Sequence, residues 1–351
     1  MSTTQSRVAR GISHPIGRHI HFGWLWGFVG FVIIDSFIRN RGIEIALAGL
    51  LVGVLSLIGM MRTRDRGHLA WVRIEDPLLA VTAATLVVTA SRSWGLLPVF
   101  CVAVVGTVGG LAVRKIAGAT DYHGGPIYCG TFVGMTSEMV LPNIWWVAGA
   151  GLLAGVLWSM SREAWVGIGG KMGTVALGGV LLTNLVASDF HQLGPGAHAL
   201  TSIQAIAGIL VVGLIAAPLT WWLAHRRGWG AVLGSAVPTM IFAGVLQYAP
   251  DLFADSPKVL TVAWLGASFV GMTAPARVSS PWIMIPIGGV LYGCLQIILG
   301  KYLAGEGGIA GATALISVFA IRGGERLLMS GWRLQDGERD TVSSTIPDPT
   351  G

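Results

Sequence analysis

The sequence predicts an all-α polytopic membrane protein with twelve transmembrane or re-entrant segments. They are arranged as two leading helices and a five-plus-five inverted repeat. Three observations carry this. Only 11% of the 351 residues are charged and 53% are hydrophobic, whereas a soluble domain carries about 25% charged residues. Apolar runs approaching the ~20 residues that a bilayer core requires recur along the chain. Two long stretches also repeat each other in register. Glycine, at 51 residues, is about twice its usual ~7% share. It shows no G-X-Y period, which excludes collagen and points to closely packed helices.

Residues 1–21 are polar and basic, with Arg7, Arg10 and Arg18. No short apolar core with a cleavage site precedes the first span, so no removable signal peptide is expected. Two leading spans follow in 22–77, at 22–38 and 43–61. The first repeat, 78–200, takes spans at 78–91, 96–113, 126–141, 144–160 and 165–187. The second, 201–322, takes 202–224, 229–248, 259–276, 282–300 and 306–321. Several are short or broken by glycine and are expected to be re-entrant. From about Leu334, within the 323–351 tail, the chain is polar and is expected to be mobile.

Basic residues orient the spans. Arg62, Arg64, Arg66, Arg73, Arg114, Lys115, the His225-Arg226-Arg227 run, Arg322, Arg326 and Arg333 mark the cytoplasmic side. The acidic loop 249–258, with Asp251 and Asp255, falls outside, and so do Arg39 and Arg41, against the rule. Both termini are then cytoplasmic, in a bacterial-type inner or plasma membrane. The net charge of +6 belongs to these loops, and no nucleic-acid partner is expected.

The repeat is the most specific signal. Phe132-Val133-Gly134-Met135-Thr136 recurs as Phe269-Val270-Gly271-Met272-Thr273. Gly151, Leu153, Gly155 and Leu157 match Gly289, Leu291, Gly293 and Leu295. Gly169, Gly170, Gly173, Ala176, Leu177 and Val180 match Gly307, Gly308, Gly311, Ala314, Leu315 and Val318. The order is kept and the offset changes by one residue. An odd number of spans per half gives the halves opposite orientations, and the basic loop before the first motif against the acidic loop before the second agrees.

These motifs supply the candidate site. Gly134 and Gly271 let backbones approach, and Gly169, Gly170, Gly307 and Gly308 are candidate helix breaks. Broken backbone at membrane depth is tolerated only where protein buries it or it lines a cavity. Phe132 and Phe269 would constrict a path, and Thr136 and Thr273 would offer hydroxyls to a solute. Glu138 and Lys171 are ionisable residues within spans and have no ionisable counterpart in the second half, so they are expected to tune charge preference. The competing readings are glycine packing alone and interfacial side chains reaching water. Trp24, Trp26, Trp145, Trp146, Trp221 and Trp222 near span ends read as aromatic belts. Arg277 and Asp35 read as interfacial. Asp121, Tyr122 and His123 read as a polar vestibule, and Asp189 and His191 as loop residues.

Cys101, Cys129 and Cys294 are scattered, so neither a disulfide framework nor a zinc site is expected. No nucleophile stands beside a base in a known pattern, so the chain is not expected to be an enzyme. No cofactor and no metal are expected.

The pattern of residues 78–321, a five-plus-five inverted repeat with a glycine-containing aromatic segment before two further helices in each half, resembles the urea-transporter architecture. The resemblance lies in arrangement and not in motif, so it names no substrate. It implies conduction of a small polar solute or ion through a pore between the repeats, in a homo-oligomer such as a trimer, with the lipid bilayer as the other partner. The expectation is therefore a channel or facilitated transporter. The alternatives are a non-conducting scaffold or assembly subunit, and a proton-coupled transporter with Glu138 as carrier.

Overall fold

The computed structural model describes residues 43–61, 72–117, 124–187, 202–249, 257–299 and 305–343. The first leading span (22–38), with Asp35 and both N-terminal tryptophans, lies outside them. So do the arginines of 62–71, residues 121–123, Asp189, His191, Asp251, Asp255 and the end of the tail.

Among the described residues there are eleven α-helices and no strand. α1 is Ile43–Met61, α2 Glu75–Trp94, α3 Pro98–Ala117, α4 Gly124–Gly134 and α5 Ile144–Ser161. α6 is Lys171–Ala187, α7 Ile203–Trp221, α8 Ala231–Tyr248, α9 Pro257–Gly271, α10 Pro281–Leu299 and α11 Ile309–Ser343. By length and apolar composition, five helical stretches can cross a membrane: Pro98–Lys115, Ile144–Ser161, Ile203–Arg226, Ala231–Tyr248 and Pro281–Leu299.

Burial agrees with a lipid environment. Large apolar side chains such as Leu51, Leu86, Val108, Val186, Val211 and Ile241 point outward and are exposed. In water, an apolar surface this widely spread would aggregate. The interior holds alanine, glycine and hydroxyl side chains instead, with Ala80, Ala84, Ala216, Thr131, Ser235 and Ser268 fully enclosed. Small residues of this kind let helix backbones touch where lipid supplies no hydrophobic drive. At Gly155 an added Cβ would meet the backbone of Asp76 and Pro77, and at Gly323 the Leu55 carbonyl.

α4 packs on α2, α5 and α6, and α9 packs on α7, α10 and α11. α3 lies against α8, and α6 against α11. α1 covers α11, where Ser56 Oγ donates to the Ile316 carbonyl at 3.0 Å.

Several expected boundaries are corrected. The 126–141 span is helical only to Gly134. The Thr136 hydroxyl bonds back to the Val133 carbonyl at 2.7 Å, and the Thr136 N–H reaches the same carbonyl at 3.0 Å. A three-residue bond of this kind tightens and ends a helix. α9 stops at Gly271 in the same way, with Thr273 N–H on Val270 O at 3.1 Å, and Ala274, held extended before Pro275, separates it from a short 3-10 turn at Pro275–Arg277. The 165–187 span is helical only from Lys171. α11 continues as helix to Ser343, past the expected span end at 321. Trp145 is exposed as a belt residue should be, but Trp221 is buried, edge-on to Trp282 at 5.0 Å.

Candidate functional site

The ends of α4 and α9 and the starts of α6 and α11 meet in one place. The contact is crossed: each phenylalanine-glycine motif meets the glycine block of the other half. The amide of Gly307 donates to Thr136 Oγ1 at 3.2 Å, and the amide of Gly169 donates to Thr273 Oγ1 at 3.2 Å. One residue further on, Ser137 N–H donates to Gly305 O at 2.9 Å and Ala274 N–H to Gly167 O at 2.8 Å.

Glycine is required at these points for two reasons. Gly170 (φ 86°) and Gly308 (φ 91°) take a left-handed backbone just before a helix begins. A Cβ on Gly169 would collide with the Phe269 carbonyl, and one on Gly307 with the Phe132 carbonyl. Between the crossings, Gly173 and Gly311 lie against each other backbone to backbone. The threonine hydroxyls act as remote N-caps, accepting from amides near helix starts that would otherwise lack partners.

Phe132 and Phe269 are both buried and lie ring to ring at 4.8 Å. Tyr128 joins them, 4.6 Å from Phe132 and 6.2 Å from Phe269. Its hydroxyl is 2.9 Å from Ser235 Oγ of α8, which is 2.6 Å from Ser268 Oγ of α9. Ser268 donates its one proton to the Leu265 carbonyl at 2.6 Å. The bonds therefore run one way: Tyr128 donates to Ser235, and Ser235 to Ser268. Tyr128 and Ser235 escaped the sequence reading, because a lone hydroxyl in an apolar run carries no signal until its partner is known.

Gly134 and Gly271 are buried last residues of α4 and α9, set against the carbonyls of Ala84 and Ala217. Lys171, the first residue of α6, is 6% exposed. Its ammonium donates to the Arg162 carbonyl at 2.9 Å and lies 4.9 Å from the centre of the Trp158 ring. Glu138 is different: its side chain is 67% exposed and stands 3.7 Å from Arg92 Nε. Arg92 also donates to the carbonyls of Thr136, Leu141 and Pro142, which holds the turn after α4. Glu138 therefore belongs to the surface of that turn, not to the interior expected for it. Arg277, only partly exposed, holds the corresponding turn after α9 by donating to the Val166 carbonyl at 2.8 Å.

The buried carboxyls Asp76, Glu325 and Glu306 were missed, and Glu306 is the one beside the crossing. Glu306, 3% exposed, lies in the second glycine block between Gly305 and Gly307, and its register position in the first block is Ile168. Asn184 Nδ2 donates to its Oε1 at 3.2 Å. It is the first residue of the expected 306–321 span and was not singled out. The signal available was the alignment itself, which sets a glutamate opposite an isoleucine.

Compared with models of known protein families, with curated proteins and with solved structures, the chain matches none of them.

Proposed function

We propose that this chain is a membrane channel or facilitated transporter for a small polar solute or ion, acting at the interface of two inverted repeats. In this reading α2–α6 and α7–α11 are the two halves, α1 is one of two leading helices, and the chain has twelve segments with both termini cytoplasmic. The observation that carries the reading is the crossed pair of threonine-to-glycine caps. Two helix breaks are brought to one place and each is satisfied from the other motif, and broken backbone at membrane depth occurs where protein buries it or where it lines a cavity. Discontinuous helices meeting between repeats are how membrane transporters form their sites.

The Phe132–Phe269 contact closes the path, so this conformation is a shut one, with the Tyr128–Ser235–Ser268 hydroxyls beside the closure. The resemblance to urea-transporter architecture supports a small polar solute and a homo-oligomeric assembly. Flux into proteoliposomes, measured over a panel of neutral solutes, anions and cations, tests the reading. Phe132→Ala and Phe269→Ala should each raise flux several-fold. No flux above empty liposomes for the wild type or either variant would end it.

A non-conducting scaffold has one observation in its favour: the motif glycines serve close packing and the threonine hydroxyls serve backbone. Against it stands Glu306, a carboxyl buried beside the crossing with one oxygen unpartnered among the described residues, which favours the transport reading.

A further inference from the structure

Glu306 has not yet been given a task. It is enclosed beneath the turn 135–143, whose Ser137 N–H donates to Gly305 O at 2.9 Å. Oε1 accepts from Asn184, while Oε2 is buried with no hydrogen-bond partner among the described residues. The elements packed around it bring few other charges. Glu138, on the exposed side of that turn, is paired with Arg92 of α2, and Lys171 at the start of α6 is directed to the Arg162 carbonyl and Trp158. Among the described residues Glu306 has no ion pair.

Among the described residues a carboxylate here has one amide donor and no counter-charge, which is costly to enclose, so a bound positive charge is favoured. A metal cation requires a shell of about six oxygens. Asn184 presents its N–H2 here, and no cluster of three His, Cys, Asp or Glu side chains exists among the described residues. A proton needs one lone pair, and Oε2 has it.

We infer that Glu306 is the proton-binding site of a proton-coupled transport cycle, an inference that rests on the transport reading above. Oε2 gains a proton from water on the side of the 135–143 turn, and the O–H bond forms as the site is enclosed. That bond breaks when the site is next hydrated, and the proton returns to water. Glu138, exposed and paired, takes no part. The first crossing, with Ile168 at this position, has no carboxyl to carry a proton.

The test uses the full-length wild type in lipid nanodiscs and the lipid-soluble probe dicyclohexylcarbodiimide. Its nitrogen takes the proton of an un-ionised carboxyl group while the carboxyl oxygen bonds to its central carbon. The adduct is read by peptide mass spectrometry. Modification at Glu306 is expected, with a yield that falls several-fold as the buffer is made alkaline, and Glu306→Gln should lose that adduct. Absence of an adduct at Glu306 while other carboxyls react, or a yield indifferent to pH, would overturn the assignment without relying on any variant. In proteoliposomes, Glu306→Gln should flatten the pH dependence of flux. A profile identical to wild type would refute the coupling and leave transport intact. The Glu306 adduct in a protein that moves no solute would instead refute transport and leave the proton site standing.

Discussion

The crossing at Gly169 and the crossing at Gly307 share a backbone and differ in what they enclose. Each has a threonine hydroxyl accepting from a glycine amide at 3.2 Å. Each has a left-handed glycine before the helix and a phenylalanine carbonyl that excludes a Cβ. The side chains beside the frame are not shared. The Gly169 crossing carries Ile168 and Lys171, and the Gly307 crossing carries Glu306 and Ile309. Glycine and threonine therefore set the geometry, and the positions the frame leaves open set the chemistry. The two crossings hold the first in common and differ in the second.

Exchanging the differing residues is the strongest way to break this comparison. Ile168→Glu places a carboxyl in a crossing where nothing is arranged for it, and should cost about 3 kcal/mol or more. A thermal melt in detergent as high as that of wild type would show that the two surroundings are interchangeable. Next come the shared elements. Gly169→Ala and Gly307→Ala should each cost about 2–3 kcal/mol by overpacking against backbone, and by similar amounts. Strongly unequal melting shifts would show that one crossing alone is structural.

Smaller again are Thr136→Val and Thr273→Val. Each leaves a buried glycine amide without its acceptor, at about 1–2 kcal/mol, and hydrogen exchange should quicken at Gly307 in the first variant and Gly169 in the second. If the exchange quickens within the variant's own half, the caps are not crossed. Glu138→Gln is the smallest. It loosens a surface pair worth under about 1 kcal/mol, and its melting temperature should hardly move.

Helices could be read from the sequence because apolar length and glycine spacing are local properties. The stop at Gly134 rests on local Thr136–Val133 bonds that a Gly-Met-Thr run does not announce, and the cap that Thr136 offers Gly307 spans 171 residues and leaves no local sign. Lys171 was visible as a charge in an apolar run. Glu306 was hidden for the opposite reason: at the first position of an expected span, it resembles any polar residue at a span end, and only enclosure by α6 and the 135–143 turn makes it costly. Glu138 misled in turn. It follows an apolar motif closely, yet the chain reverses there and turns it outward to Arg92. Trp221, read as a belt residue, is drawn inward by Trp282.

α11 is 35 residues long, or about 50 Å at ~1.5 Å per residue, whereas a hydrocarbon core is ~30 Å thick. Its start is anchored at Gly308 against α6, its second turn at Ser56 of α1 through the Ile316 carbonyl, and near its middle Glu325 accepts from Ser279. A continuous helix is stiff along its length. The helix is therefore ~20 Å longer than a hydrocarbon core, a shaft whose first end seats the Gly307 crossing. A pull or twist on residues near Ser343 would arrive, with little loss, at the backbone that carries Glu306.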